Sequence, residues 1–102
     1  MGKYLVLWRR VPTAFPTDPK ERSKTSKKIA TLLDDWIKSG KIKEHGHFLD
    51  GESGYTIWEV EAEELLKNYT MFYPYYENEV HEFVPFEKSK EIVTKILSPE
   101  QK

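Results

Sequence analysis

Between Gly54 and Phe86 an alternating strand, a one-faced helix, an aromatic hinge and a second alternating strand follow one another without a gap. GYTIWEV is aromatic and β-branched, and EAEELLKNYTM spaces its apolar residues Ala62, Leu65, Leu66 and Tyr69 for one helix face. FYPYY breaks that helix at Pro74, and Tyr75–Phe83 alternates again as a last strand. The same order can be read upstream. Lys3–Arg9 (KYLVLWR) is apolar on both alternating sets, as a central strand covered on two faces requires. A loop holding Pro12 and Pro16 follows, and Asp18-Pro19-Lys20-Glu21 supplies an N-cap, a proline at the first helical position and a capping-box glutamate. The helix so started carries the stripe Ile29, Leu32, Leu33, Trp36 and Ile37 and stops at Gly40. Its first turns, KERSKTSKK, are basic and lack the stripe, which predicts that they project into solvent or are partly frayed. Lys41–Leu49 is a strand weakened by Gly46, turned by Asp50–Gly54 into its neighbour.

These elements make one α+β domain over residues 1–102, with the order β-α-β-β-α-β of the ferredoxin-like unit and an extra C-terminal helix over Glu87–Leu97. Right-handed crossovers place both main helices on one face of an antiparallel sheet. Tyr55 and Ile57 alternate with Trp58 and Val60, so a central strand is apolar on both sides and its second face needs a cover. Ile92, Val93, Ile96 and Leu97 of the final helix need one too, with Pro99 beyond their end. A homodimer is the expectation.

Composition narrows the function classes. The chain has no cysteine, which excludes disulfides, thiolate nucleophiles and cysteine-ligated metals. No apolar run approaches the roughly 18 residues of a membrane span, and the first residues enter strand-like sequence directly, so a cytoplasmic protein without membrane contact is expected. Through Lys43 there are 11 basic and 4 acidic residues; from Glu44 onward there are 5 and 13. Such a division can favour interleaving of the two halves or complementary contacts between subunits. Three Asn and Gln residues beside 32% charged residues make a thermophile-like composition. There is no P-loop, dinucleotide glycine pattern or nucleophile elbow, and no cofactor is expected.

The run Gly54-Tyr55-Thr56-Ile57-Trp58-Glu59-Val60, the Leu65-Leu66 helix, and Phe72-Tyr73-Pro74-Tyr75-Tyr76 leading into Glu77-Asn78-Glu79-Val80 resemble the dimeric α/β-barrel superfamily, which includes muconolactone isomerase and the YciI-like proteins. The chain is similar above all to small prokaryotic single-domain members of uncharacterised function. The resemblance implies a dimer in which two sheets pack face to face, the second sheet face lining a barrel. His81, Glu82 and the extra helix depart from the isomerase pattern, and no catalytic residue is carried over. In that arrangement Asn78 and Val80 point toward the helices, while Glu77, Glu79, His81 and Phe83 face the barrel or its rim. Tyr55, Ile57, Glu79 and Phe83 are accordingly the candidate ligand-binding residues.

Chemistry concentrates at His45-Gly46-His47, where positions i and i+2 of a strand share a face. Two imidazoles so placed can share a metal, with Asp50, Glu59 or His81 as a third ligand; solvated histidines on an edge strand produce the same pattern. No metal is assigned. His45, His47 or His81 can instead pair with Glu59 or Glu79 as an acid/base couple. His81 of one subunit is expected near His45 and His47 of the other, since the second and fourth strands lie at opposite sheet edges. Tyr55, Trp58, Phe72, Tyr73, Tyr75 and Tyr76 either line an aromatic-ligand pocket or serve as packing. Lys20, Arg22, Lys24, Lys27 and Lys28 form a basic helix start. Three functions fit: a small-molecule-binding or regulatory homodimer, a small isomerase or cofactor-independent oxygenase, and an RNA-binding module using Tyr55 and Ile57. The last is opposed by thirteen carboxylates in the second part of the chain.

Overall fold

A computed structural model describes residues 1–97. The alternating runs become four antiparallel strands, β1 (Gly2–Arg10), β2 (Ile42–His47), β3 (Ser53–Val60) and β4 (Tyr76–Glu82), in the spatial order β2-β3-β1-β4. With α1 (Pro19–Lys38) and α2 (Ala62–Thr70) this makes an α+β domain compatible with the expected ferredoxin-like arrangement, and α3 (Phe86–Leu97) follows β4. Pro99 lies outside the described residues.

Local chemistry sets the boundaries. The Asp18 carboxylate accepts the Glu21 amide at 3.1 Å and Pro19 opens α1, as an N-cap and first-turn proline should. Gly40 takes φ 81°, the left-handed conformation that stops the helix just past its cap. In the β2–β3 turn Asp50 accepts the amides of Glu52 and Ser53 and the Ser53 hydroxyl. These bonds, led by that from Glu52, hold its carboxyl below the usual range.

Cross-strand pairs define the faces. Val6 lies opposite Thr56 on β3 and Val80 on β4, and Tyr4 lies opposite Trp58, so these residues share the helix side. There Val6, Trp36, Ile42, Trp58, Val60 and Leu65 form the core, with Leu32, Leu33, Tyr69 and Phe72 against it. Trp36 packs its ring 5.1 Å from Trp58 and 5.6 Å from Phe72. Leu5 and Leu7 lie opposite Ile57 and Tyr55 on the other side, with His81 and Glu79 across from them on β4. No described helix packs closely on this side, where Leu5, Leu7, Tyr55 and Ile57 are half-buried and Glu79 and His81 are exposed.

Two helical stripes need correction. Ile37 is 46% exposed and Leu66 56% exposed, while Asn68 takes an inward position beside Leu65. A 20-residue α1 meets the sheet chiefly through its C-terminal half, and α2 is nine residues long, so each buries a narrower stripe than its sequence offers. The body is accordingly incomplete: Phe86, Ile92, Val93 and Ile96 of α3 are 72, 59, 48 and 69% exposed. The radius of gyration is 17.4 Å, against about 13 Å for a compact chain of this length, with a longest axis of 63 Å. No described helix is long and apolar enough to cross a membrane.

Candidate functional site

Where α1 lifts away from the sheet, a cavity of about 220 Å³ opens between Ser26, Ile29, Ala30 and Leu33 and the helix-side residues of the strands. Five aromatic residues, Trp8, Trp58, Tyr69, Phe72 and Tyr76, form much of its wall, and Arg10, His45, His47, Thr56 and Asn78 bring polar groups to it.

The histidines reach this side through an irregularity. Ile42 pairs with Trp58, but Glu44 pairs with Ile57 and His45 with Thr56, so one extra residue at Lys43 shifts the register. Such a bulge exchanges the faces of everything after it. Without it His45 and His47 would lie opposite in sense to buried Ile42; with it they share its side. Trp8 is seated by Gly54, whose missing side chain leaves the space that the indole occupies: a Cβ there would collide with the Trp8 ring and with the Gly46 carbonyl. The indole then stacks on His45 at 5.6 Å and meets His47 and Tyr76 edge-on at 5.2 and 5.5 Å. His45 Nδ1 shares a 2.8 Å hydrogen bond with the buried Thr56 hydroxyl.

Two donors of residues on this wall have no acceptor among the described residues: Trp8 Nε1 and Arg10 Nε are buried and unpartnered there. Each such group costs about 1–3 kcal/mol, and a pair on one cavity is a reason to look for the acceptor they lack. Asn68 Nδ2, on the buried side of α2, is also unpartnered among the described residues. Arg10 stands over the Phe15 ring at 4.5 Å, and its Nη1 lies 3.6 Å from Glu52.

Burial, and then the neighbouring His47, hold His45 below its ordinary pKa of about 6.5. A base whose pKa is lowered on folding binds fewer protons when folded. Its contribution to stability is therefore complete above about pH 6.5 and is lost as pH falls toward the folded value. Thermal unfolding between pH 8 and 5 is expected to show a melting temperature that declines below about pH 6.5, and His45→Gln is expected to flatten that decline. Superimposable profiles for the two chains would remove His45 as the titrating group.

The other candidates are dispersed. Among the described residues no three of His, Asp and Glu gather where they could hold a metal, so Asp50, Glu59 and His81 do not complete a set with His45 and His47. Glu59 bonds Lys3 at 2.9 Å with Lys43 at 3.9 Å, and the Lys3 bond above all keeps its carboxyl low. It is an ion-pair partner remote in the register from the histidine pair. His81 Nε2 lies 2.6 Å from Glu79 Oε2, an acid/base couple in geometry, but both side chains are more than half exposed. His81 is on the open sheet face, whereas His45 and His47 are on the helix face, so the three do not gather within one chain. Tyr55, Ile57, Glu79 and the residue position of Phe83 likewise belong with the open side, away from the cavity. Tyr55 donates to Glu44 there, which raises its pKa. Of the aromatic set, Trp58, Phe72 and Tyr76 line the cavity, Tyr73 is 80% exposed, and Tyr75 packs on Phe15.

Sequence reasoning missed Trp8, Arg10, Thr56 and Asn78 as site residues. Their signal was strand parity, because Trp8 and Arg10 share the alternation of Val6, and Asn78 lies opposite Trp8. Comparison with the models of known protein families yields no match, and no curated protein matches the chain.

Proposed function

We propose that the protein is a small-molecule-binding homodimer of the dimeric α/β-barrel kind, regulatory or non-catalytic, with its ligand in the cavity between α1 and the sheet. The observation carrying this reading is the coincidence of two buried, acceptorless donors with an aromatic cavity. Ligand sites combine such apolar walls with a few polar groups. The open face, apolar at Leu5, Leu7, Tyr55 and Ile57, takes the second copy, and Glu77 and Glu79 of β4 flank it. Those carboxylates oppose a phosphate backbone, which argues against the RNA-binding alternative. An isomerase or oxygenase would rely on the His81–Glu79 couple, which lies exposed on the open face rather than in an enclosed pocket.

A thermal-shift screen of small acids, amines, sugars and aromatic compounds tests the reading. Stabilising compounds are expected, and Ala30→Trp, which sets an indole at the cavity wall, is expected to abolish their effect. Stabilisation indifferent to Ala30→Trp, or none from any class, would refute it.

A further inference from the structure

The cavity under α1 selects a charge as well as a shape, and we infer that its ligand is a planar monocarboxylate of about one ring. This rests on the reading of the cavity as a ligand site. No Asp or Glu is among its lining residues, and Arg10 is the one permanent charge there. Arg10 is incompletely used: Nε has no acceptor, and the contact of Nη1 with Glu52, at 3.6 Å, is loose. With Nε unsatisfied among the described residues, this guanidinium can take the two oxygens of a carboxylate in bidentate fashion. Trp8 Nε1 adds a second donor without a partner, and Asn78, opposite Trp8 on β4, adds an amide on the same wall.

Charge and size restrict the ligand further. One permanent cation balances one carboxylate, whereas a phosphate monoester carries up to two negative charges. The volume of about 220 Å³ lies below the roughly 300–1,000 Å³ of sites for drug-sized ligands, and the walls of Trp8, Trp58, Phe72 and Tyr76 suit the faces and edges of a ring. The ligand is thus a flat acid, held by its ring against aromatic side chains and by its carboxylate at Arg10.

Titration calorimetry at pH 7.5 with benzoate, benzamide and phenyl phosphate as probes tests this. Benzoate is expected to bind at least about tenfold more tightly than benzamide or phenyl phosphate, the factor that a single charge-assisted hydrogen bond readily supplies. Arg10→Gln is expected to abolish that preference, and Glu52→Gln, which releases the guanidinium from its competitor, to strengthen benzoate binding. If Arg10→Gln does not fold, the benzoate-to-benzamide ratio in the native chain and the Glu52→Gln response decide the matter. Benzamide binding as well as benzoate, with both lost in Ala30→Trp, would overturn the carboxylate and leave the cavity as a ligand site. Phenyl phosphate binding best would also overturn it. Failure of all three probes, while other compounds from the thermal-shift screen bind and are sensitive to Ala30→Trp, would do the same; failure of every compound would end both readings.

Discussion

Replacing Trp36 by alanine is expected to destabilise the fold by about 3–5 kcal/mol, the cost of emptying a large aromatic site in a close-packed core. Trp36 is 8% exposed and touches both Trp58 of β3 and Phe72 after α2, so it joins α1 to the sheet and to the second helix at once. Leu32 and Leu33 add to this hold, and Arg22 reaches the Pro16 carbonyl and the Phe15 ring, but most of the N-terminal turns face solvent and the cavity borders the middle of the helix. Lys24→Ala, in those exposed turns, should stay within about 0.5 kcal/mol. Urea unfolding of both variants measures the contrast. Similar small losses would show that the tryptophan is dispensable and that α1 is held elsewhere.

The second large effect concerns association. The native chain is expected to run as a dimer at micromolar concentration in light scattering, and Ile57→Lys to convert it to a monomer that remains folded. The lysine would stand on the open face opposite Leu5, in the middle of the proposed interface, where an unpaired charge buried by a partner is strongly unfavourable. In a chain that stays monomeric the same position is half-exposed, and the substitution costs little. A native monomer, or a dimer indifferent to Ile57→Lys, would remove the face-to-face arrangement. The exposed apolar residues of α3 point to the same need for a partner, since Phe86, Val93 and Ile96 lie on one stripe that the domain itself leaves uncovered.

Much of this architecture is legible from local pattern. The alternation of Tyr55 and Ile57 with Trp58 and Val60 separates the two faces of β3, and the structure places Trp58 and Val60 in the core. Asp18, Pro19 and Gly40 mark the ends of α1 through capping and backbone preferences that act over three or four residues. The site is less legible because it depends on register and on helix placement. Nothing local to His45 and His47 announces the extra residue at Lys43, yet that residue decides which side of the sheet they occupy. Gly46 reads as a weak point in a strand, but its position faces the Tyr55 ring, which a Cβ would strike. Gly54 likewise reads as a turn residue, although its consequence is the seat of Trp8. Nor does the stripe of α1 disclose that Leu33 and Ile29 border open space while Trp36, one or two turns on, is packed tight.

The central proposal is that the ligand lies on the helix side of the sheet, and a crystal structure grown with the strongest stabilising compound from the thermal-shift screen tests it most directly. Density for that compound is expected beneath α1, against Trp8 and Asn78, with an oxygen within hydrogen-bond reach of Arg10. Density instead between two sheets, against Tyr55 and Ile57 of both copies, with the space under α1 empty or closed by the helix, would contradict it.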